Sequence, residues 1–478
     1  MVLKWRSLRQ NDKIARAKSP AGTDEGKEPQ MRISRIIVSG LFDRFNHDLT
    51  FKSEDRITIM IAPNGFGKTM ILRIVNALFA QPIRALARMP FRVVSVEFDD
   101  ASRLQVFRST HNIEGDNRYE VRLTYTYPLG VEQSFVPEPK INPRDIGIPI
   151  GSIEDVIPAL DQIGSEQWRD RRTGETLTLE DVLERFGHEL PLAEAESSNL
   201  PKWLQDIRRA IPVRFIDTER LTNPMTYSAR AARYRHMPLP VTARTVRRYS
   251  EELAERVRKT TTEYGSLAQS LDRTFPVRLV AEPSQTDLTI DTLKKELAEV
   301  ESKRSKLVEA GLLATESEGW GTTPALDKVD ESRRGVLAVY ARDAQKKLSV
   351  FDDLYARVDT LKRVANARLL HKRVAVSADG LSVTAANGSK LELEMLSSGE
   401  QHELVILYEL LFRVPRNAFI LIDEPELSLH VAWQEQFLND LTEITELSQF
   451  RVLLATHSPQ IIGDRWDLTV ELKGPEDQ

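Results

Sequence analysis

Three short apolar runs along the chain have the pattern of buried β-strands. Residues 56–61 read RITIMI, residues 418–422 read AFILI and residues 451–455 read RVLLA. Continuous apolar runs of this length are typical of strands that are covered on both faces. Since the first run lies over 300 residues before the other two, the sequence predicts a core sheet assembled from two distant parts of the chain.

Other segments complete the pattern of an α/β protein. Residues 70–79 and 401–412 have the apolar stripes of helices, and residues 212–217 read as a further core strand. A small antiparallel sheet is also predicted, with its strands at residues 91–98, 103–107 and 119–125.

A helical hairpin is predicted between the two halves of the core sheet. Apolar side chains recur at steps of three and four over residues 290–307 and again over residues 348–361, with a glycine-containing linker between them. At about 1.5 Å per residue, each arm has a length of roughly 30–45 Å. This pattern predicts a short antiparallel coiled coil. Residues 151–200 are acidic and are predicted to be helical, with loops.

The composition excludes several classes of site. The 478 residues include no cysteine, which excludes disulfides and cysteine nucleophiles and makes a cytoplasmic location the expected one. No apolar run approaches the roughly 18–20 residues of a transmembrane helix, and no association with a membrane is expected. Because the net charge is −5, any nucleic-acid site must be a local patch.

A glycine-rich loop joins the first predicted strand to the helix at residues 70–79. Residues 62–69 read APNGFGKT, which is close to the phosphate-binding pattern G-x-x-x-x-G-K-[ST] but has Ala62 in place of the first glycine. Lys68 is expected to reach the β- and γ-phosphates of a nucleotide, and Thr69 to bind Mg²⁺. The alternative is a turn without a ligand, and Ala62 is tolerated only with a negative φ. The candidate nucleotide-binding residues of this loop are Asn64, Gly65, Gly67, Lys68 and Thr69.

Polar residues follow the other two predicted strands. Asp423 and Glu424 come directly after residues 418–422, at the strand end where α/β sheets present ligand groups. Asp423 is a candidate ligand of Mg²⁺, and Glu424 is a candidate general base for an attacking water. His457, in the run THSP, is a candidate contact of a γ-phosphate. The alternatives are solvated or helix-capping carboxylates and a structural histidine.

The run LSSGEQ at residues 396–401 precedes the predicted helix at residues 401–412. Small residues at a helix N-terminus form an anion site, because the first backbone N–H groups have no partner within the helix. The alternative is an ordinary helix cap, with Ser397 or Ser398 as the capping residue.

These four motifs, in this order, resemble the ABC-type ATPase head. The variants LSSGEQ and DEPELSLH resemble the SMC/RecF and OLD-like branch of AAA-like ATPases, whereas transporter cassettes carry LSGGQ and a loop ending S-A-L-D. The resemblance covers about residues 31–80 and 371–478. It implies an α/β head with a mixed sheet and helices, which binds ATP and Mg²⁺ and hydrolyses ATP with Glu424 and His457 as catalytic residues. Ala62 and His430 depart from the pattern, and the glutamine that senses Mg²⁺ in such heads cannot be placed.

The resemblance also implies partners. In such heads the signature of one subunit closes over the ATP of the other, so a head-to-head dimer and a higher homo-oligomer are expected. OLD-family proteins carry a nuclease after the head, but only residues 464–478 follow Gly463 here. We therefore expect no nuclease in this chain and a separate effector protein, such as a nuclease. The signature residues expected to bind ATP are Ser397, Ser398, Gly399 and Glu400.

One segment carries a strong local positive charge. Residues 220–248 contain seven arginines and no acidic residue, with Tyr227 and Tyr234 among them. Arginine binds phosphates and tyrosine can stack on bases, so the segment is a candidate for binding DNA or docking a partner. The alternative is a solvated basic loop or a protein interface. The candidate nucleic-acid-binding residues are Arg230, Arg233, Arg235, Arg244, Arg247 and Arg248.

Five regions and one leading function are therefore expected. The function is that of the ATPase subunit of a bacterial anti-phage defence complex, similar to the ATPase components of Septu and PARIS, in which ATP controls a separate effector. The alternatives are a RecF-like DNA repair ATPase, a transport cassette, which the long insertion opposes, and a scaffold that binds ATP but rarely hydrolyses it. The regions are a flexible tail (1–30, with Met31 as an alternative start), the first half of the head (31–135), a helical insertion with the arginine-rich segment (136–285), the coiled-coil hairpin (286–370) and the second half of the head (371–478).

Overall fold

The computed structural model describes residues 31–52, 54–113, 116–137, 150–157, 160–171, 174–186, 200–217, 241–281, 289–314, 331–427 and 431–474. Its strands are β1 (Ile33–Leu41), β2 (Phe45–Thr50), β3 (Ile57–Ile61), β4 (Val93–Phe98), β5 (Arg103–Ile113), β6 (Asp116–Thr126), β7 (Glu132–Phe135), β8 (Leu160–Gly164), β9 (Gln167–Asp170), β10 (Thr176–Thr178), β11 (Val213–Asp217), β12 (Lys372–Ser377), β13 (Gly380–Ala385), β14 (Lys390–Leu391), β15 (Phe419–Asp423), β16 (Arg451–Thr456) and β17 (Thr469–Glu471). Its α-helices are α1 (Lys68–Ala80), α2 (Ile153–Val156), α3 (Leu179–Phe186), α4 (Lys202–Ala210), α5 (Val241–Ala281), α6 (Ile290–Ala310), α7 (Glu331–Ser349), α8 (Asp352–Arg368), α9 (Ser398–Tyr408), α10 (Val431–Ser448) and α11 (Pro459–Ile462).

A five-stranded parallel sheet, in the order β11-β15-β16-β3-β17, forms the centre of the fold. The strands predicted from the apolar runs are confirmed as β3, β11, β15 and β16. In the register of the sheet, Asp423 pairs with Ala455, and Thr456 pairs with Ile61. Because the strands are parallel, the chain leaves β3, β15 and β16 at one shared edge of the sheet.

The side chains of this sheet alternate between two hydrophobic cores. Phe419 and Leu421 belong to the core that contains α1, whereas Ile420 and Ile422 belong to the core formed with the C-terminal helices. Successive side chains of a strand point to opposite faces, so both faces are covered. This double burial explains why these strands are continuous apolar runs.

A six-stranded antiparallel sheet, in the order β2-β1-β4-β5-β6-β7, shares the first core with α1. The predicted antiparallel sheet is confirmed in β4, β5 and β6, and the helix predicted at residues 70–79 is confirmed in α1. Helix α1 packs against β11 and β15 with its apolar side chains buried. The α/β class predicted from the sequence is therefore the observed class, with one parallel and one antiparallel sheet in the head.

The helical hairpin differs from its prediction. Its first arm is confirmed as α6, but the predicted second arm at residues 348–361 is divided between two helices, because one helix ends at Ser349 and another begins at Asp352. Phe351 and Val358 are buried in the second core of the head. Apolar residues spaced three and four apart occur in any helix that buries one face. This spacing therefore does not distinguish a coiled-coil arm from a core helix.

Both parts contact the first arm: Lys303 of α6 pairs with Asp352 of α8, and α7 packs with α6 and with the 41-residue helix α5. Asp272 pairs with Lys347, and Arg278 pairs with Asp343, so α5 and α7 run in opposite directions. At about 1.5 Å per residue, α5 has a length of roughly 60 Å, which exceeds the predicted arm.

The prediction that the acidic region at residues 151–200 is helical is also corrected by the structure. Strands β8, β9 and β10 form a three-stranded antiparallel sheet there, next to α2 and α3. The sheet packs around Trp168, which is fully buried. The positive φ of +73° at Gly174 closes the turn between β9 and β10. Local acidic composition does not reveal such a core, because the core depends on contacts between strands.

Several predictions concern residues outside the described ranges. They include the tail at residues 1–30, most of the linker between α6 and α7, residues 220–240 and His430. In the part of the chain that the structure describes, no helix is long and apolar enough to cross a membrane.

Candidate functional site

The glycine loop lies between the end of β3 and the start of α1. Gly65 and Gly67 have φ angles of +87° and +88°, in the region that glycine adopts most easily. A Cβ atom at Gly67 would lie 2.4 Å from Cδ2 of Leu41. Both the backbone angle and the close approach of Leu41 therefore require glycine at position 67.

The remaining residues of the loop fit an anion site. Ala62 is not among the described residues with positive φ, so the condition for replacing the first glycine is met. Lys68 is buried, and its Nζ donates to the carbonyl oxygen of Ala62 at 2.8 Å. No side chain of the described residues caps the N-terminus of α1, whereas Asn64 and Gly65 are exposed. The backbone N–H groups at the start of α1 thus remain for a ligand.

His47 on β2 supports the loop and was not predicted. Its Nε2 donates to the carbonyl oxygen of Phe66 at 2.9 Å, and its ring stacks on Phe45. The ring is 3% exposed, and this burial lowers the pKa of His47, although the bond to Phe66 acts in the opposite direction. The available signal was the alternation of the β2 sequence FNHDLT, which places Phe45 and His47 on one buried face.

The two carboxylates predicted at the end of β15 lie beside β16. Asp423 is the last residue of β15 and is nearly buried, and the backbone N–H of Glu424 donates to the carbonyl oxygen of Ala455 at 2.8 Å. Glu424 has a φ of +41°, which is uncommon for a residue other than glycine. Such strained residues cluster at functional sites, where the surrounding structure holds them.

His457 follows β16 and lies next to two carboxylates. Its Nδ1 is 3.7 Å from Oε1 of Glu424 and 3.1 Å from Oε1 of Glu426. The fold therefore brings together Glu424 and His457, which were predicted from segments over 30 residues apart. Glu426 was not predicted to act here. The available signal was the second glutamate of the run DEPE, at the end of the same strand.

The signature run forms a capped helix start. The Oγ of Ser397 accepts from the backbone N–H of Glu400 at 3.4 Å, and the backbone N–H of Ser397 donates to Oε2 of Glu400 at 2.8 Å. This reciprocal pair is a capping box. Ser397 is therefore the helix cap that the alternative interpretation of the motif predicts.

Glu400 is also bonded to Lys372 on β12, whose Nζ lies 2.6 Å from Oε2 of Glu400. Burial acts to raise the pKa of Glu400, but the bonds from Lys372 and Ser397 outweigh it and lower this pKa below its usual value. These contacts attach the signature to β12. Ser398 and Gly399 directly precede Glu400 in the first turn of α9. Lys372 was not predicted to take part.

Comparison with known proteins establishes the family. The sequence model of the AAA ATPase domain matches residues 31–462 of this chain. The chain belongs to the AAA ATPase domain family. No curated protein sequence matches it.

Solved structures similar to this AAA ATPase include heads of SMC proteins. They are the Smc head with an extended coiled coil, bound to the C-terminal domain of ScpA, from Pyrococcus furiosus (13% identity, 93% of this chain and 94% of that chain covered, TM-score 0.34), the SMC head from Thermotoga maritima (11%, 92% and 95%, 0.30), and the Smc head with a coiled coil and joint from Pyrococcus yayanosii (15%, 91% and 93%, 0.29).

The candidate site of this AAA ATPase fits ATP with Mg²⁺. The loop offers uncapped backbone N–H groups and the ammonium group of Lys68, which suit phosphates. Thr69 at the start of α1 and Asp423 at the end of β15 offer oxygen atoms, which Mg²⁺ prefers. The shared edge of the parallel sheet carries both groups.

The arginine-rich segment of the AAA ATPase is described only at its end. Arg247 and Arg248 lie near the start of α5 and are exposed. Arg247 lies 3.4 Å from Glu251 and 3.8 Å from Glu394, and the guanidinium of Arg248 lies 5.1 Å from the ring of Tyr249. Binding of nucleic acid by this segment stays a prediction. The other candidates, Arg230, Arg233, Arg235 and the side chain of Arg244, lie outside the described residues.

Proposed function

We propose that this AAA ATPase domain binds ATP with Mg²⁺ and hydrolyses it at the carboxyl edge of its parallel sheet. One observation carries the proposal: the strained Glu424 and His457 lie together, with Nδ1 of His457 3.7 Å from the Glu424 carboxylate, at the sheet edge from which the glycine loop also starts. A phosphate-binding loop, a carboxylate and an imidazole at one edge are the parts that nucleotide hydrolysis needs.

Each residue then has a definite task. The N–H groups of residues 64–69 and the ammonium group of Lys68 hold the phosphates, and Thr69 and Asp423 hold Mg²⁺, which when bound supplies positive charge to the phosphates. Glu424 accepts the proton of the attacking water on its carboxylate. His457 contacts the terminal phosphate through its ring.

Substitution of Glu424 by Gln tests the hydrolytic part of this proposal. The amide has the same size but cannot take a proton, so we expect ATP binding to be retained and turnover to fall on the order of a hundredfold or more. Glu435→Gln is the matched control, because Glu435 is an exposed acid on α10. Turnover close to that of the unaltered protein in Glu424→Gln would remove Glu424 from the role of general base.

The signature residues complete the site from a second copy. In the described chain, the contacts of Glu400 attach the signature to β12. We infer a head-to-head dimer in which Ser398 and Gly399 of one copy approach the ATP of the other, and a higher homo-oligomer built from such dimers. ATP drives this closure only by binding the closed dimer more tightly than the open form. Light scattering of Glu424→Gln with and without ATP tests it, since an unchanged mass would contradict ATP-driven dimerisation.

The biological role that we propose is regulation of a separate effector, such as a nuclease, in a bacterial anti-phage defence complex. Its support is the resemblance of LSSGEQ and DEPELSLH to the OLD-like branch, together with membership of the AAA ATPase domain family. Capture of tagged Glu424→Gln from its host with ATP is the test. A stoichiometric nuclease or other toxic protein supports the role, and repair proteins or DNA alone would contradict it.

A RecF-like role in DNA maintenance is the second candidate, because exposed Arg247 and Arg248 end a segment of seven arginines without an acidic residue. Replacing Arg244, Arg247 and Arg248 with Glu is expected to weaken DNA binding and to reduce its dependence on salt concentration. Unchanged affinity in a fluorescence anisotropy titration with duplex DNA would exclude this segment as the DNA site.

A further inference from the structure

Glu426 makes an unusual set of contacts just after the candidate base Glu424. Its Oε1 accepts from Oγ1 of Thr456 at 2.7 Å and from the backbone N–H of His457 at 3.0 Å. The same oxygen lies 3.1 Å from Nδ1 of the His457 ring. One carboxylate, whose side chain is 7% exposed, thus accepts from the backbone of the candidate phosphate-sensing histidine and lies against its ring.

The ring contact favours one of the two nitrogens of His457 as the carrier of hydrogen. A carboxylate oxygen 3.1 Å away repels a ring nitrogen that has a lone pair, so the contact favours hydrogen on Nδ1. In the neutral ring this leaves Nε2 without hydrogen, and the side chain of His457 is half-exposed. Glu424 lies 3.7 Å from Nδ1, which is beyond hydrogen-bond distance. The two carboxylates therefore differ in what they do to His457.

A second set of bonds holds Glu426 itself in place. Its carbonyl oxygen accepts from Nε2 of Gln434 at 3.3 Å, and Oε1 of Gln434 accepts from Oγ of Ser458 at 3.1 Å. The residues on both sides of His457 are thus joined to Glu426, directly at Thr456 and through Gln434 at Ser458. An acid held on both sides in this way can orient a ring more firmly than a mobile surface carboxylate.

We propose that Glu426 is a positioning residue, which orients His457 and fixes its Nδ1–H tautomer so that Nε2 is presented to the nucleotide. This inference deepens the proposed function and rests on it for the role of His457, but the tautomer can be measured without any hydrolysis. It assigns different tasks to the two glutamates of DEPE, since Glu424 acts on water and Glu426 acts only through His457.

Nitrogen NMR of protein labelled with ¹⁵N-histidine tests the geometric part at pH 8. The His457 signal is assigned by its disappearance in His457→Gln. We expect the Nδ1–H tautomer in the unaltered protein and in Glu426→Gln, whose amide oxygen can still accept. We expect Glu426→Ala to shift His457 toward the Nε2–H tautomer. An unchanged tautomer in a folded Glu426→Ala protein would overturn the proposal.

Kinetics test the functional part. We expect Glu426→Ala to lower kcat for ATP on the order of ten- to a hundredfold, with the Kd for ATP changed less than about threefold, and Glu426→Gln to recover most of the rate. The double variant Glu426→Ala/His457→Ala should have the same kcat as His457→Ala alone, because Glu426 is proposed to act only through His457. Fully multiplicative losses would show that Glu426 acts separately from His457 and would overturn the proposal.

Two controls separate this proposal from the one on which it rests. Glu435→Ala removes an exposed acid from α10 and should change neither the tautomer nor kcat. If His457→Ala hydrolyses ATP normally, the proposed role of His457 fails, while the NMR result still decides whether Glu426 fixes the ring. If Glu426→Ala fails to fold, Glu426→Asp replaces it, because the shorter carboxylate keeps the charge but withdraws the acceptor from the ring.

Discussion

The glycine loop and the signature each place a glycine at the start of a helix, and the two helix starts differ in what satisfies their backbone. At the glycine loop, Gly67 in a left-handed conformation precedes α1, and no side chain within the described ranges caps the helix. At the signature, Ser397 and Glu400 form a capping box, and Glu400 is bonded to Lys372. Within the described residues, the first start has no side-chain cap, whereas at the second the N–H group of Glu400 is already bonded to Ser397.

This difference teaches that a glycine at the start of a helix is not by itself an anion site. At Gly67 the surroundings exclude a side chain, because Leu41 occupies the space of a Cβ. At Gly399 a Cβ atom would have no heavy atom of the described structure within 4 Å beyond its own helix and chain neighbours, so the space is open. The first glycine is required by its own chain, and the second leaves room for something from outside, which the proposed dimer would supply.

The largest expected effect comes from comparing the lysines of the two loops. Lys68→Ala should abolish measurable ATP binding, since removing one partner of a buried charge pair typically loses roughly 2–5 kcal/mol. Lys372→Ala, at the signature, should leave ATP binding to the monomer intact. Isothermal titration calorimetry measures both, and retained affinity in Lys68→Ala would refute the role of the glycine loop.

The two glycines give the next comparison. Gly67→Ala should destabilise the fold by about 2–4 kcal/mol, because alanine is strained at a φ of +88° and its Cβ meets Leu41. Gly399→Ala should be neutral or stabilising by up to about 1 kcal/mol, since alanine favours a helix. Chemical denaturation followed by circular dichroism gives both values, and equal losses would contradict the difference between the two loops.

The next prediction concerns how stability depends on pH through Glu403 in the signature helix. Glu403 is buried one turn after Glu400 and pairs with Arg368, which also pairs with Asp440. Burial raises the pKa of Glu403 to about 7, against the attraction of Arg368. The folded state then binds more protons than the unfolded state between about pH 4.5 and pH 7.

Because the folded state binds more protons, the free energy of unfolding should fall as pH rises through that range. The contribution of Glu403 to this fall is on the order of 2 kcal/mol. Glu403→Gln cannot titrate and should show a flatter dependence of stability on pH. Urea denaturation at several pH values measures both proteins. Parallel curves for the two would contradict a raised pKa at Glu403.

The smallest expected effect concerns the cap of the signature helix. Ser397→Ala should lower the free energy of unfolding by about 1 kcal/mol, because it removes the acceptor of the Glu400 N–H group. Ser398→Ala is the matched control, since Ser398 is exposed and makes no capping bond in the described structure; it should change stability by less than about 0.5 kcal/mol.

The sequence was informative where a single segment carries the cause. The runs at β3, β15 and β16 are apolar because the sheet is buried on both faces, and α1 follows from its own stripe of apolar residues. It was misleading at residues 348–361, where one regular pattern spans two helices, and at residues 160–178, where a small core around Trp168 depends on strand pairing.

The residues of the candidate site also fall into those that the sequence predicted and those that it did not. The residues of the glycine loop, the acids after β15 and His457 were recognised from local motifs. Their neighbours His47, Lys372 and Glu426 were not, because each acts on a motif that lies on another strand or helix. Such contacts have no regular spacing in the sequence.

The sequence by itself determined the AAA ATPase family, the α/β class and the candidate residues for binding a nucleotide, because strand burial, glycine conformation and the chemistry of phosphate binding act over a few neighbouring residues. Only the tertiary structure decided which of the two glutamates in DEPE lies nearer to the ring of His457 and how the signature helix is capped and attached to β12. These depend on distances of a few ångströms between separate strands and helices, and packing of the whole head sets those distances.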